Sequence, residues 1–123
     1  MTPSILVTAG PTREQIDPIR FISNYSTGRF GYEIARAARR RGHRVVLVSG
    51  PTHLKAPAGV RRVSVESALE MKRAVEREFK SCGVVIMAAA VSDYTPVEKS
   101  KVKTKKEKGL LTLKLEPTED ILA

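Results

Sequence analysis

At 123 residues, 41% hydrophobic and 28% charged, the chain is sized for one globular domain with a real core. No apolar run approaches the roughly 18 residues of a membrane span, and "MTPSILVTAG" lacks the succession of basic, apolar and small residues that marks a secretory signal. A net charge of +9 and a pI of about 10.1 point to anionic partners, nucleic acid and phosphorylated small molecules alike.

"SILVTAG" is a short apolar run ending in small residues, the pattern of a buried strand that feeds a ligand loop. An aperiodic loop follows, from Gly10 to about Thr27, and loops of such length in compact domains are usually functional. Phe30, Ile34, Ala37, Ala38 and Arg41 then recur at helical spacing, and Gly42 ends the helix. "HRVVLVSGP" reads as a second buried strand, "THLKAPAG" as a turn-rich linker and "VRRVSV" as a third strand. Ser67 and Glu70 form an S-x-x-E capping box, and Met71, Val75 and Phe79 behind it make an apolar stripe suited to packing on a sheet. Cys82, the only cysteine, excludes an internal disulfide and suits a reducing cytoplasm; a small half-buried residue explains it better than a nucleophile. "GVVIMAAAVSD" is a fourth buried strand running into small residues.

This alternation predicts an α/β domain with a Rossmann-like open parallel sheet flanked by helices. Right-handed crossovers and adjacency of successive elements give the strand order 3-2-1-4. The order reverses between the first and fourth strands, so a ligand crevice is expected at their carboxyl ends, "TAGPT" and "AAAVSDY".

Beyond it, "LLTLKL" alternates like a half-exposed strand, and pairing with "SKVKT" across Lys105 to Gly109 would build a basic β-hairpin arm over residues 99–116. "TEDILA" looks like the capped start of a helix, so the sequence is expected to be part of a longer polypeptide.

Positive charge falls in two clusters. Arg36, Arg39, Arg40, Arg41 and Arg44 surround the end of the first helix, where a solvated face complementing the dipole accounts for them. Lys99, Lys101, Lys103, Lys105, Lys106 and Lys108 form the second. Lys101 and Lys103 share a face of the expected arm strand and, returning over the crevice, would bind phosphates as point charges. At the loop–helix junction, Ser23, Asn24, Ser26, Thr27 and Gly28 supply donors at the positive end of a helix dipole. An ordinary cap with Thr27 as N-cap and packing glycines accounts for the same residues equally well. Asp93, directly after the fourth strand, could meet a metal or a ligand hydroxyl, or simply end the strand; its place at the switch point favours function. His43 and His53 lack zinc-ligand spacing and read as surface residues. Arg13, Asp17 and Arg20 could be ligand groups or could brace the long loop through ion pairs, and bracing is the favoured expectation.

Taken together, "ILVTAGPTREQIDPIRFISNYSTGRFGYEIA", "VVLVSGPT", "VIMAAAVSDYTP", "KVKTKK" and "LEPTEDILA" resemble phosphopantothenate–cysteine ligase, the ligase domain of the DNA/pantothenate metabolism flavoprotein family, in its N-terminal part. The resemblance runs through nearly the whole chain, with motifs in order. It implies a coenzyme A enzyme that activates the 4'-phosphopantothenate carboxylate with CTP or ATP, accompanied by Mg²⁺, and then forms an amide with cysteine. On this resemblance Asn24 matches the family's essential asparagine, which holds the acyl-nucleotidylate. Met87, Ala88, Ala89 and Asp93 match the strand end that contacts nucleotide. Lys101 matches the first lysine of a K-x-K-K segment on the triphosphate and counts with Asn24 as catalytic. Glu119, Asp120, Ile121 and Leu122 match a P-D-I-[LV] nucleotide contact. Gly10, Ser23, Ser26, Thr27 and Gly28 are the expected phosphate and substrate loop.

Two departures stand out: Thr104 occupies a position where a second lysine is common, leaving Lys105 as its substitute, and Glu119 replaces a proline. The resemblance further implies a cytoplasmic homodimer joined partly by the arm, possible association with the flavin-dependent decarboxylase, and no FMN on this chain. Metal ligands are not identifiable. The rivals are an NAD(P)-type module, against which the absent G-x-G-x-x-G speaks, and a nucleic-acid binder, against which the lack of interleaved aromatics speaks.

Overall fold

The computed structural model describes residues 2–103, 106 and 109–122. The arm roles expected of Thr104, Lys105 and Lys108 therefore lie outside the described residues. In chain order the elements are β1 (Ile5–Ala9), β2 (Glu14–Gln15), β3 (Phe21–Ile22), α1 (Arg29–Arg40), β4 (Val45–Ser49), β5 (Arg61–Ser64), α2 (Ala68–Glu78), a 3₁₀ turn (Phe79–Ser81), β6 (Val84–Met87), β7 (Tyr94–Pro96) and β8 (Leu115–Pro117).

β5, β4, β1 and β6 form a parallel sheet in that order, which is the expected 3-2-1-4. β1 and β4 are buried along their whole length because each has a strand on both sides and a helix on both faces. Side chains alternate across a strand, and the core divides accordingly. Ile5, Val7, Ala9, Val45 and Leu47 pack with Tyr32, Ala35 and Ala38 of α1. Leu6, Val46 and Val48 pack with Met71, Ala74 and Val75 of α2 on the opposite face. Burial of each large aliphatic side chain contributes about 1.5–3 kcal/mol, which is why unbroken apolar runs at these strands suffice to place them in the middle. The β5 edge carries exposed Arg61 and Arg62, whose charges discourage further strand pairing.

α1 buries a different face from the one its large residues suggested. Gly31, Tyr32, Ala35 and Ala38 face the sheet, Ile34 is half-buried, and Phe30 is 74% exposed. The reason is close approach: a Cβ at Gly31 would lie 2.4 Å from that of Ala9. A stripe of Gly and Ala lets the helix sit directly on β1, and such a stripe is faint in hydrophobicity. At the far end Gly42, with φ 93°, ends the helix as expected, its neighbour His43 N–H donating to Ala38 O at 3.2 Å.

α2 is capped twice. Ser67 Oγ accepts from Glu70 N–H at 3.1 Å, the forward half of the capping box, while Glu70 turns its carboxylate to Glu66 N–H. The second cap is tertiary: buried Glu14 accepts from Ala68 N–H at 3.0 Å, placing an anion at the positive end of the helix. Met71 and Val75 are core residues as expected, but Phe79 falls in the 3₁₀ turn and is 50% exposed.

The long loop after β1 is held by its own small ladder, β2 against β3, closed around Asp17. Buried Asp17 accepts from Ile19 N–H at 2.9 Å and Arg20 N–H at 2.8 Å and pairs with the Arg20 guanidinium, so these two residues do brace the loop. Arg13 braces it differently, lying 4.4 Å over the Phe21 ring.

The expected arm forms otherwise than "SKVKT" against "LLTLKL". The antiparallel pair is β7 with β8, Tyr94 opposite Pro117 and Pro96 opposite Leu115, and the described residues of 99–114 contain no strand. Val97 N–H donates to Lys114 O at 2.9 Å, so the pairing continues one step and then parts. In "TEDILA" Ile121 and Leu122 form a turn, and Thr118, Glu119 and Asp120 before them carry no regular structure.

Candidate functional site

Two clefts open beside the carboxyl ends of β1, β4 and β6, where the reversed strand order places a crevice. The first, about 860 Å³, is lined by Ser23, Asn24, Ser26 and Thr27, with Arg13 and Arg29 among its cations. Phe21, Thr52, His53 and Leu54 complete its walls. The second, about 440 Å³, is lined by Met87, Val91, Asp93, Thr118, Glu119, Asp120, Ile121 and Leu122. Among the described residues the two differ in charge: Arg13 and Arg29 line the first, while Asp93, Glu119 and Asp120 line the second, Glu119 being paired with Lys72 at 3.2 Å.

Asn24 joins them. Its Nδ2 donates to Ala90 O at 3.0 Å, and its Oδ1 accepts from Ser26 N–H at 3.0 Å. One end of the amide is thus fixed on the exit of β6 and the other rigidifies the loop leading to α1. Ser23 Oγ donates to Thr12 O at 2.8 Å, and Thr52 Oγ1 donates to Thr27 O at 2.7 Å, tying the same loop to the ends of β1 and β4. Among the expected loop residues, Ser23, Asn24, Ser26 and Thr27 therefore converge on one cleft.

Gly10 and Gly28 lie beneath the cleft instead of lining it. Gly28 is the N-cap of α1 at φ 84°, and a Cβ there would come within 3.2 Å of Gly10 Cα. Thr27 is consequently not the N-cap, although its Oγ1 accepts from Arg29 N–H at 3.3 Å. These glycines bring the start of α1 against the end of β1, and the ligand-facing groups stand around them.

Among the expected nucleotide contacts, Met87, Asp93, Glu119, Asp120, Ile121 and Leu122 converge on the second cleft. Ala88 and Ala89 line neither cleft; their N–H groups bond to Thr8 O at 3.2 Å and Thr8 Oγ1 at 3.2 Å, continuing the sheet. Lys101 is exposed and lines neither cleft, and Ser100 N–H beside it donates to Ile16 O at 2.9 Å. Among the described residues no three His, Cys, Asp or Glu side chains converge as a metal-ligand set.

Sequence reasoning passed over Arg29, Thr52 and Leu54 and treated His53 as a plain surface residue, yet all four line the first cleft. The signal was available: "VSGPTHL" follows a strand adjacent to β1 in the expected order, so its carboxyl end had to open onto the same crevice.

A parallel α/β domain with polar clefts at its strand ends belongs to the Rossmann-like class, which the sequence pattern anticipated. The chain belongs, over residues 2–123, to the family described as the DNA/pantothenate metabolism flavoprotein C-terminal domain. The coenzyme A biosynthesis bifunctional protein CoaBC of Vibrio cholerae is 46% identical over 121 residues, which are 97% of this chain and 30% of that protein. A cysteine/cysteine sulfinic acid decarboxylase from an unknown prokaryotic organism is 47% identical over 120 residues, 97% of this chain and 33% of its own. The solved C-terminal domain of a CoaBC protein superposes with a TM-score of 0.84 at 47% identity, covering 97% of this chain and 55% of that one. The chain thus spans about a third of these relatives' length. Among the described residues no helix is long and apolar enough to cross a membrane.

Proposed function

We propose that this chain is the substrate- and nucleotide-binding part of a phosphopantothenate–cysteine ligase acting in the cytoplasm. The observation that carries the reading is the Asn24–Ala90 hydrogen bond, which ties an amide lining the arginine-bearing cleft to the exit of β6, one residue before Val91 of the carboxylate-bearing cleft. Membership of the family supports it, as does 46% identity to a protein named for coenzyme A biosynthesis.

A free carboxylate is a poor electrophile. CTP or ATP would convert that of 4'-phosphopantothenate to an acyl-nucleotidylate with release of pyrophosphate, and the cysteine amine would then displace the nucleotide monophosphate. In this assignment Arg13 and Arg29 meet the anionic substrate in the first cleft. Met87, Val91, Ile121 and Leu122 offer apolar surface to a nucleobase in the second, and Asp93 offers an acceptor to ribose hydroxyls. Asn24 holds the activated acyl group between them.

Glu119 is paired with Lys72 at 3.2 Å, but Asp93 and Asp120 of the second cleft would repel a bare triphosphate. Mg²⁺ is usually bound by phosphates with one or two carboxylates, so Asp93 or Asp120 would assist in holding it, and Lys101 would reach the triphosphate from the arm. Bound, the ion neutralises phosphate charge. The homodimer and an association with the flavin-dependent decarboxylase complete the reading, with exposed Val97, Val102, Leu110, Leu111 and Leu113 as the apolar surface of the arm.

Thermal unfolding with CTP, ATP, NAD or an oligonucleotide, each with and without Mg²⁺, tests the assignment. The expected result is stabilisation by CTP or ATP that requires Mg²⁺, approaching about 2.7 kcal/mol at a hundredfold excess over the dissociation constant. Stabilisation by oligonucleotide or NAD alone would overturn it.

A further inference from the structure

Ser92 is held between two threonine hydroxyls. Its N–H donates to Thr12 Oγ1 at 2.9 Å, and its carbonyl accepts from Thr118 Oγ1 at 2.6 Å. Thr12, fully buried, belongs to the loop after β1, and its own N–H donates at 3.3 Å to Ala90 O, the carbonyl that also receives the Asn24 amide. A carbonyl oxygen has two lone pairs, so both donors are accommodated. Thr118 N–H donates to Asp93 O at 2.8 Å, and Thr118 begins the segment lining the second cleft. An unbroken path therefore runs from Asn24 through Ala90, Thr12 and Ser92 to Thr118, joining segments that the chain separates widely.

We propose that Thr12 is a positioning residue that keeps the Asn24 amide of the first cleft in register with the Thr118–Leu122 wall of the second. It touches neither cleft. Its backbone and hydroxyl instead bond residues 90 and 92, and its carbonyl accepts from Ser23 Oγ next to Asn24. Thr12 thus ties both the Asn24 loop and the exit of β6 to one buried point. What this register serves rests on the ligase reading; the register itself does not.

A double-mutant cycle followed by ¹H–¹⁵N spectra of the chain separates the two. Thr118→Val removes the far link without touching the Asn24 loop. It is expected to move the Asn24 side-chain amide resonance by more than a linewidth, while Thr118→Ser leaves it in place. In a Thr12→Val background, which deprives Ser92 N–H of its acceptor, the same Thr118→Val change is expected to lose most of its effect on Asn24. An Asn24 resonance indifferent to Thr118→Val, or equally responsive with and without Thr12, would overturn the proposal. Resonances of α1 and α2 report folding; should Thr12→Val unfold, the Thr118→Val and Thr118→Ser pair alone decides.

In a ligase-competent protein containing this sequence, Thr12→Val is expected to lower kcat at least tenfold with KM for nucleotide within threefold, and Thr12→Ser to restore it. An unchanged kcat, or a loss confined to KM, would overturn the positioning role. Absence of ligase activity in the unmutated protein, with the spectral cycle as expected, would remove the ligase reading and leave the register standing.

Discussion

The Asn24 side-chain amide reaches the Ala90 carbonyl at 3.0 Å across 66 residues of sequence. The contact forms because β1 lies between β4 and β6 in the sheet, so the loops leaving β1 and β6 emerge side by side. The Pro11–Ala90 bridge just past the strands carries that adjacency to the site.

Asn24→Ala removes both the bond to Ala90 and the acceptor for Ser26 N–H. Each is an exposed hydrogen bond contributing about 1 kcal/mol or less, so the domain is expected to remain folded. In a ligase-competent protein containing this sequence the variant should release pyrophosphate from substrate and nucleotide but form amide about 10²–10³-fold more slowly, the usual cost of losing one aimed polar group. Pyrophosphate and amide product assayed in parallel check this, and amide formation at the normal rate would strip Asn24 of its role.

Lys101 lies outside both clefts, so its contribution depends on the arm closing over bound nucleotide. Lys101→Gln is expected to weaken triphosphate binding about tenfold, equivalent to about 1.4 kcal/mol, with the unfolding midpoint unchanged because the side chain is solvated. Titration calorimetry with Mg²⁺ and nucleotide measures it. Unchanged affinity would return Lys101 to an exposed charge.

Gly31→Ala should act on the fold and through it on the site. A Cβ placed 2.4 Å from that of Ala9, and 3.0 Å from the Thr8 carbonyl oxygen, forces α1 off β1. Overpacking of this kind costs about 1–3 kcal/mol, outweighing the better helix propensity of alanine, about 1 kcal/mol at most. Denaturant unfolding should show a lower midpoint; equal or greater stability would mean that the helix does not rest where it is described.

Acid stability should carry a component from Glu78. A hydrogen bond from Arg61, then the charges of Arg61, Arg77 and Arg44, hold its carboxyl below the ordinary range against the opposing effect of burial. The folded state therefore binds this proton less readily than the unfolded chain. The pair stabilises above the unfolded value, near 4.3, and loses that contribution as pH falls through the lower folded value. Arg61 is 55% exposed, so solvent screening keeps the effect within the 1 kcal/mol typical of surface pairs. Glu78→Gln should lower the melting temperature slightly at pH 7, and the difference from the unmutated chain should vanish once the pH falls below the lowered folded value. A gap that persists at low pH would assign the loss to packing.

Several features were legible because they are local. Apolar runs at "SILVTAG" and "VVLVSG" mark strands covered on both faces, and Gly42 ends α1 by its left-handed backbone. Ser67 caps α2 as its spacing to Glu70 indicates. The crevice followed from strand order, which the alternation of elements constrains. Other features were not legible. Phe30 is larger and more apolar than Gly31, yet Gly31 faces the sheet, because the space between helix and strand decides what fits. The arm pairing was misread because alternation in "LLTLKL" says that a strand is possible, not which partner reaches it.

The sequence by itself determined the class of fold, the order of the sheet and the neighbourhood of Asn24, since short-range pattern and chain connectivity suffice for those. Only the tertiary structure decided that Glu14 caps α2, that Ser92 is held by Thr12 and Thr118, and that the two clefts differ in charge. Each depends on polar atoms far apart in the chain meeting within hydrogen-bond distance. Such meetings are set by how helices and strands pack, which no local pattern encodes.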